Sequence, residues 1–213
     1  MAKTRFIYAK RGVAKYISHL DLMNVWRRTF NRAGIALTHS EGFNPHPYLS
    51  VALPLPVGAE SHCEILDVKL EASPDDSILD KLNATLPPGL QALSYTQELR
   101  PIKDIAWTKV ELRIKSADNG DKLAQFLTNG AVNIEKKSKS GMKTIDIVPH
   151  IAQSDVQADG EEIVYTVLLR ASEPLISPTL LCQALAQTYP DMGWGSAAVT
   201  RLAVLDGAFL LLQ

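Results

Sequence analysis

Between Tyr16 and Tyr48 the chain carries an unusual density of side chains able to do chemistry: Tyr16, Ser18, His19 and Asp21, then Ser40, Phe43, Asn44, His46 and Tyr48. Histidine changes charge near neutral pH, so His19 and His46, if they meet, would suit general acid and base work or metal ligation. The same residues also have a plainer reading. Ser18 and Asp21 fit helix caps, and Asn44, Pro45 and Pro47 fit turn formers.

A second set is cationic. Arg27, Arg28 and Arg32 follow one another at helical spacing, Lys10, Arg11 and Lys15 precede them, and Lys136, Lys137, Lys139 and Lys143 form a later cluster. Phosphate contacts need cations on one surface, and Tyr8, Tyr16, Phe43 and Tyr48 could stack bases beside them. Solvated surface charge explains them equally well. The net charge of −1 hides an asymmetry: through Ser50 eight basic residues face only Asp21 and Glu41, and the acidic excess lies in the remainder. A positive end of this kind attracts polyanions over about a Debye length.

Metal and cofactor chemistry find little footing. Among His19, Asp21, His46, His62, Cys63 and Asp67 only His62-Cys63 is a local pair, where a structural zinc site has close-spaced ligands, so no metal site is expected. The two cysteines, Cys63 and Cys182, are far apart and outside any CxxC spacing. No GxxxxGK[ST], GxSxG, HExxH or CxxxCxxC occurs. ATPase, serine-hydrolase, zincin and radical chemistry carried by this chain alone are thereby unsupported, and no cofactor of its own is expected.

The elements that must position these residues are legible in outline. Thr4 to Lys10 alternates around Phe6 and Tyr8 as a strand, and Ser18 caps a helix that starts at His19. Leu22, Trp26, Phe30 and Ala33 form its apolar stripe, Gly34 stops it, and Trp26 and Phe30 belong to the core. Ile35 to Thr38 and Leu49 to Leu55 read as extended arms around a stiff SEGFNPHP loop, because Pro45 and Pro47 restrict both themselves and the residues before them. Glu64 to Leu70 reads as a strand, Ser73-Pro74 opens a helix through Ile78, Leu79 and Leu82, and Leu90 to Leu99 returns as a strand. The order is β-α-β-β-α-β, the ferredoxin-like pattern.

The same order is expected again from Trp107: a strand at Lys109 to Lys115, a helix at Asp121 to Thr128 stopped by Asn129-Gly130, and a strand at Ala131 to Glu135. Strands at Thr144 to Val148 and Ile163 to Arg170, a helix opened by Ser177-Pro178 and a strand at Val199 to Leu205 complete it. Gln153 to Glu161 reads as an exposed turn, and Arg100-Pro101 as a linker. The expected architecture is therefore α+β, two tandem ferredoxin-like domains over 1–100 and 101–213. Hydrophobic content of 46% with 21% charged residues supplies a core, and no run approaches the ~20 apolar residues of a membrane span, so a cytoplasmic protein is expected.

With those residues set out, the stretch YISHLDLMNVWRRTFNRAGIALTHSEGFNPHPYLSVALPLPVGAES resembles the radical-SAM-linked domain family of unknown function. That family forms the C-terminal part of B12-binding radical SAM proteins or a separate chain associated with them. YISHLDL, SEGFNPHP and ALPLPVG stand in the family's order, although the family often has lysine where Tyr48 stands and leucine in place of Val25-Trp26. The resemblance implies a radical SAM partner that holds an iron–sulfur cluster, S-adenosylmethionine and cobalamin, with this chain as the accessory part. At fold level alone the chain is also similar to CRISPR-repeat RNA endonucleases, which cut RNA without metal and often use a histidine on the first helix, a role open to His19. Their C-terminal glycine-rich loop has only a faint counterpart in Gly193-Trp194-Gly195.

Three functions follow as expectations. The first is an RNA-binding or substrate-presenting partner of a radical SAM enzyme in RNA modification, with Lys10, Arg11, Lys15, Arg27, Arg28 and Arg32 on phosphate. Tyr16, Ser40, Phe43, Asn44, His46 and Tyr48 would then face a base or a partner surface. The second is a metal-independent endoribonuclease with His19 and His46 as acid and base. The third is a protein-binding adaptor that docks through the SEGFNPHP loop.

Overall fold

The computed structural model describes residues 2–116, 120–128, 130–138 and 141–212. The chain is α+β and divides into two compact units, Met1–Asp104 with Leu212–Gln213, and Ile105–Leu211.

The first unit runs β1 (Ala2–Lys10), α1 (His19–Arg32), β2 (Leu49–Ala52), β3 (Glu60–Leu70), α2 (Ile78–Asn83) and β4 (Leu90–Thr96). Its strands lie in the order β4-β1-β3-β2 with every neighbour antiparallel, an order compatible with the ferredoxin-like pattern. Side chains alternate across a strand, so each of β1 and β3 has two distinct faces. Phe6 and Tyr8 on β1, with Leu66, Val68 and Leu70 on β3, pack beneath Leu22, Trp26 and Phe30 of α1 and Ile78 and Leu82 of α2. Trp26 meets Tyr8 edge-on at 5.0 Å between ring centroids, and Phe30 meets Phe6 at 5.7 Å. Each such buried side chain contributes roughly 1.5–3 kcal/mol from area alone.

Both ends of α1 are closed by their own sequence. Ser18 Oγ accepts the Asp21 N–H at 3.2 Å and donates to the Asp21 carboxylate at 2.7 Å. At the other end the Ile35 N–H reaches the Phe30 carbonyl and the Gly34 N–H reaches that of Asn31, with Gly34 at φ 70°, which is a Schellman ending. The second helix differs from expectation. Asp75 accepts from both the Ser77 N–H and its hydroxyl, and that local turn delays the helix from Pro74 to Ile78.

The second unit runs β5 (Ile105–Lys115), α3 (Asp121–Ala124), β6 (Asn133–Ser138), β7 (Gly141–Asp146), β8 (Ile151–Asp159), β9 (Glu162–Arg170), α4 (Pro178–Thr188) and β10 (Ala198–Asp206). Here the strands lie in the order β10-β5-β9-β8, again antiparallel throughout. The same 4-1-3-2 order results once β6 and β7 are set aside as a hairpin of their own. Two expectations are corrected. Gln153 to Glu161 is no turn, because most of it is β8; the strand ends this unit's ladder and its run of exposed polar residues carries no apolar alternation. Of the strands expected at 131–135 and 144–148, residues 133–135 and 144–146 instead pair with each other in the separate β6–β7 sheet, with Ile134 opposite Ile145, and Val148 opens a 3-10 turn. Of the expected Asn129-Gly130 helix stop, Asn129 lies outside the described residues. Among the described residues no helix is long and apolar enough to cross a membrane.

Two measurements test this packing. Gly89 sits at φ 89° against the turn after β1, where a Cβ would run into the Arg11 carbonyl and lie 2.8 Å from Ala14 Cβ. Gly89→Ala is expected to cost about 2–4 kcal/mol in urea unfolding, against about 1 kcal/mol for Gly34→Ala, whose Cβ would meet open space. In the second unit burial pushes the Cys182 thiol up to about 11. Only the thiolate reacts, so Cys182 alkylation should keep rising about tenfold per pH unit beyond pH 9, followed by peptide mass spectrometry. A plateau near pH 8.5 would contradict the burial.

Candidate nucleic-acid interface

Because Leu22, Trp26 and Phe30 commit one face of α1 to the core, a 100° step per residue turns Arg27, Arg28, Asn31 and Arg32 outward, and all four are exposed. Arg27 is steadied by Asn24 Oδ1 at 3.1 Å, and Arg32 donates to the Thr85 carbonyl. The cations before the helix divide. Arg11 is exposed, Lys15 is half-buried and paired with Glu60 at 3.3 Å, and Lys10 is only 2% exposed. Lys10 therefore leaves the phosphate-binding set: at the irregular end of β1 it is flanked by β3 and β4, opposite Ser61 and Leu90. In the second unit Lys136 donates to the Leu175 carbonyl and Lys143 is exposed, while Lys139 and the side chain of Lys137 lie outside the described residues.

The loop after α1 is held shut at its neck. The Ser40 N–H donates to the His46 carbonyl at 2.9 Å, and the His46 N–H donates back to Ser40 Oγ at 3.1 Å. Ser40 Oγ also lies 2.9 Å from His46 Nδ1, which is 3.4 Å from the Asn44 carbonyl as well. Tyr48 N–H to Thr38, Thr38 N–H to Lys69 and Lys69 N–H to Tyr48 then tie the arms to the end of β3. The enclosed residues 41–45 are exposed, and Phe43 is fully so at 105%. A large apolar ring held in water on a stapled loop is a contact feature, not a core one. Tyr16 is likewise exposed, with Lys15 Nζ 5.5 Å from its ring centre.

Two grooves flank this loop. One, of about 460 Å³, is lined by Arg27 and Asn31 from α1 and by His39, Pro47 and Glu71. The other, of about 720 Å³, is lined by His46, Pro47 and Tyr48 together with Lys3, Arg5, Asp67, Lys69 and Arg100. His19 lines neither. At 1.5 Å rise per residue its backbone stands about 12 Å along α1 from that of Arg27. Among the described residues no group of three or more His, Cys, Asp or Glu side chains is placed to hold a metal ion.

His39, Lys3, Arg5 and Lys69 were not singled out as site residues by sequence; Asp67 was weighed only as a metal ligand and Arg100 only as part of a linker. Their signal was present as charges at alternate positions, Lys3-Arg5 and Asp67-Lys69, in strands that otherwise bury apolar side chains. Residues 3–178 match the model of a family described as an uncharacterized protein conserved in bacteria, DUF2344. The chain belongs to that family. Among curated proteins none matches it. In this DUF2344 chain the matched span takes in both grooves and the stapled loop.

Ser40→Ala removes the acceptor for the His46 N–H and the hydroxyl on Nδ1 without touching the core. Global stability should change by less than about 0.5 kcal/mol, while exchange of the His46 amide, followed by NMR, speeds at least about tenfold. Unchanged exchange would mean that the neck is held by something other than Ser40.

Proposed function

We propose that this chain is an accessory, RNA-binding and substrate-presenting partner of a radical SAM enzyme, acting in RNA modification. The observation that carries the RNA half is the groove lined by Arg27 and Asn31 of α1, by His39 and Pro47 at the neck of the stapled loop, and by Glu71. A cation, amide and imidazole brought together on a rigid frame can hold a phosphate and an adjoining base edge without chemistry of their own. Arg28 extends the cationic face along α1, and Phe43 and Asn44 at the loop tip are left for the enzyme or an unstacked base. The radical SAM half rests on the resemblance carried by YISHLDL, SEGFNPHP and ALPLPVG. In this reading the cluster, S-adenosylmethionine and cobalamin belong to the partner, and the present chain supplies placement.

Filter binding of single-stranded RNA across a salt series tests the first half. The logarithm of affinity should fall linearly with the logarithm of salt, and Arg27→Gln/Arg28→Gln should flatten the slope by about 1.4, at about 0.7 per lost phosphate contact. Gel analysis should find the RNA intact. Binding that is absent or insensitive to salt would overturn the RNA reading, and cleavage abolished by His19→Ala would replace it with a nuclease.

A further inference from the structure

On the sheet face turned away from α1, β1 and β3 place two lysines side by side. Lys3 stands opposite Lys69 in the antiparallel register, and two residues on Arg5 stands opposite Asp67. Like charges directly opposite on one sheet face repel. The carboxylate of Asp67 does not relieve them, because both its oxygens are taken by Arg5: Nε at 2.7 Å and Nη2 at 2.8 Å, with Arg5 only 1% exposed. No ion pair engages Lys3 or Lys69 among the described residues. Instead, Lys69 Nζ rests 3.8 Å from the centre of the Tyr48 ring, which fixes the ammonium in position.

These groups line the 720 Å³ groove, where four cationic side chains face the single carboxylate of Asp67. Its far wall is held by the chain itself, since Arg5 Nη1 donates to the Arg100 carbonyl at 2.9 Å. The same lining includes the apolar Leu49, Leu99 and Ile102 and the ring-bearing Tyr48 and His46. A volume in the range of small-molecule pockets, lined by two lysines opposite one another in register and by aromatic and apolar side chains, matches a phosphate joined to a flat heterocycle.

We propose that this groove is a nucleotide site, with the phosphate bridging Lys3 and Lys69 and the nucleobase against Tyr48, His46 and the Leu99–Ile102 wall. The inference rests on the RNA-binding reading in taking the nucleotide to be one residue of a single strand. A free nucleotide offers the same chemistry, and the two sources are separable. An anion between the lysines converts a repulsion into two charge-assisted contacts, which is why the pair is tolerated.

The test uses the full chain, with adenosine 5′-monophosphate and adenosine as small probes and a fluorescent single-stranded octaribonucleotide as the long one. Calorimetry should show the monophosphate binding and adenosine not. Lys3→Gln/Lys69→Gln should weaken the monophosphate at least tenfold, while Lys109→Gln, at an exposed cation of β5, leaves it unchanged. The lysine variant should also flatten the octamer's salt slope by about 1.4. It should melt no lower than wild type, since a repulsion has been removed. Adding the monophosphate should raise the melting temperature of wild type alone. Monophosphate binding that is absent, or equal in the lysine variant, overturns the nucleotide site. Octamer binding lost only in the arginine variant leaves the RNA reading standing without this groove. Monophosphate binding with no octamer binding upholds the site as one for a free nucleotide and removes the RNA reading.

Discussion

The seating of α1 on β1 and β3 is the constraint on which the first unit depends. Trp26 and Phe30 are completely buried against Tyr8 and Phe6, so the helix has one rotational setting about its axis. Because 3.6 residues make a turn, that setting alone decides that Arg27, Arg28, Asn31 and Arg32 face outward. Truncating either ring would cost about 3–5 kcal/mol in cavity and lost contact. It would also release the orientation of every polar group on the opposite face. Site geometry here is a by-product of core packing.

The stapled loop takes its rigidity from the same frame. Thr38 and Tyr48 are bonded to one another and to Lys69 on β3, so the neck of the loop inherits the order of the sheet. From there Ser40 and His46 close the ring through backbone and side chain together. His46 consequently has a structural duty in holding the neck, which accounts for a histidine in a loop without requiring that it move protons. Pro47 lines both grooves, and the residues on either side of it connect the helix face to the sheet face.

The buried Arg5–Asp67 pair is a different kind of constraint. A guanidinium 1% exposed would be costly without a fully engaged partner, and the bidentate geometry with a third bond to the Arg100 carbonyl meets that requirement. Such a pair is weak as a source of stability but strong in fixing register. A one-residue slip of β1 against β3 would separate Arg5 from Asp67 and turn Phe6 and Tyr8 out of the core.

Sequence by itself determined what is encoded within a few residues. The limits of α1, its Ser18 cap, its Gly34 ending and its buried stripe all follow from hydrogen bonds and contacts that close within three to five positions. The stiffness of the SEGFNPHP loop was legible from its prolines for the same reason. Only the tertiary structure decided which strand lies beside which. Arg5 and Asp67 are 62 residues apart, Lys3 and Lys69 meet by register, and β8 is a strand because β9 offers it a ladder, despite a surface-like composition. Lys10 looked like a surface cation because the two strands that flank it, β3 and β4, are brought there by long-range pairing. Helices carry their partners within themselves, whereas a strand's partners are chosen by long-range pairing, and the two grooves beside the stapled loop are built where those long-range choices converge.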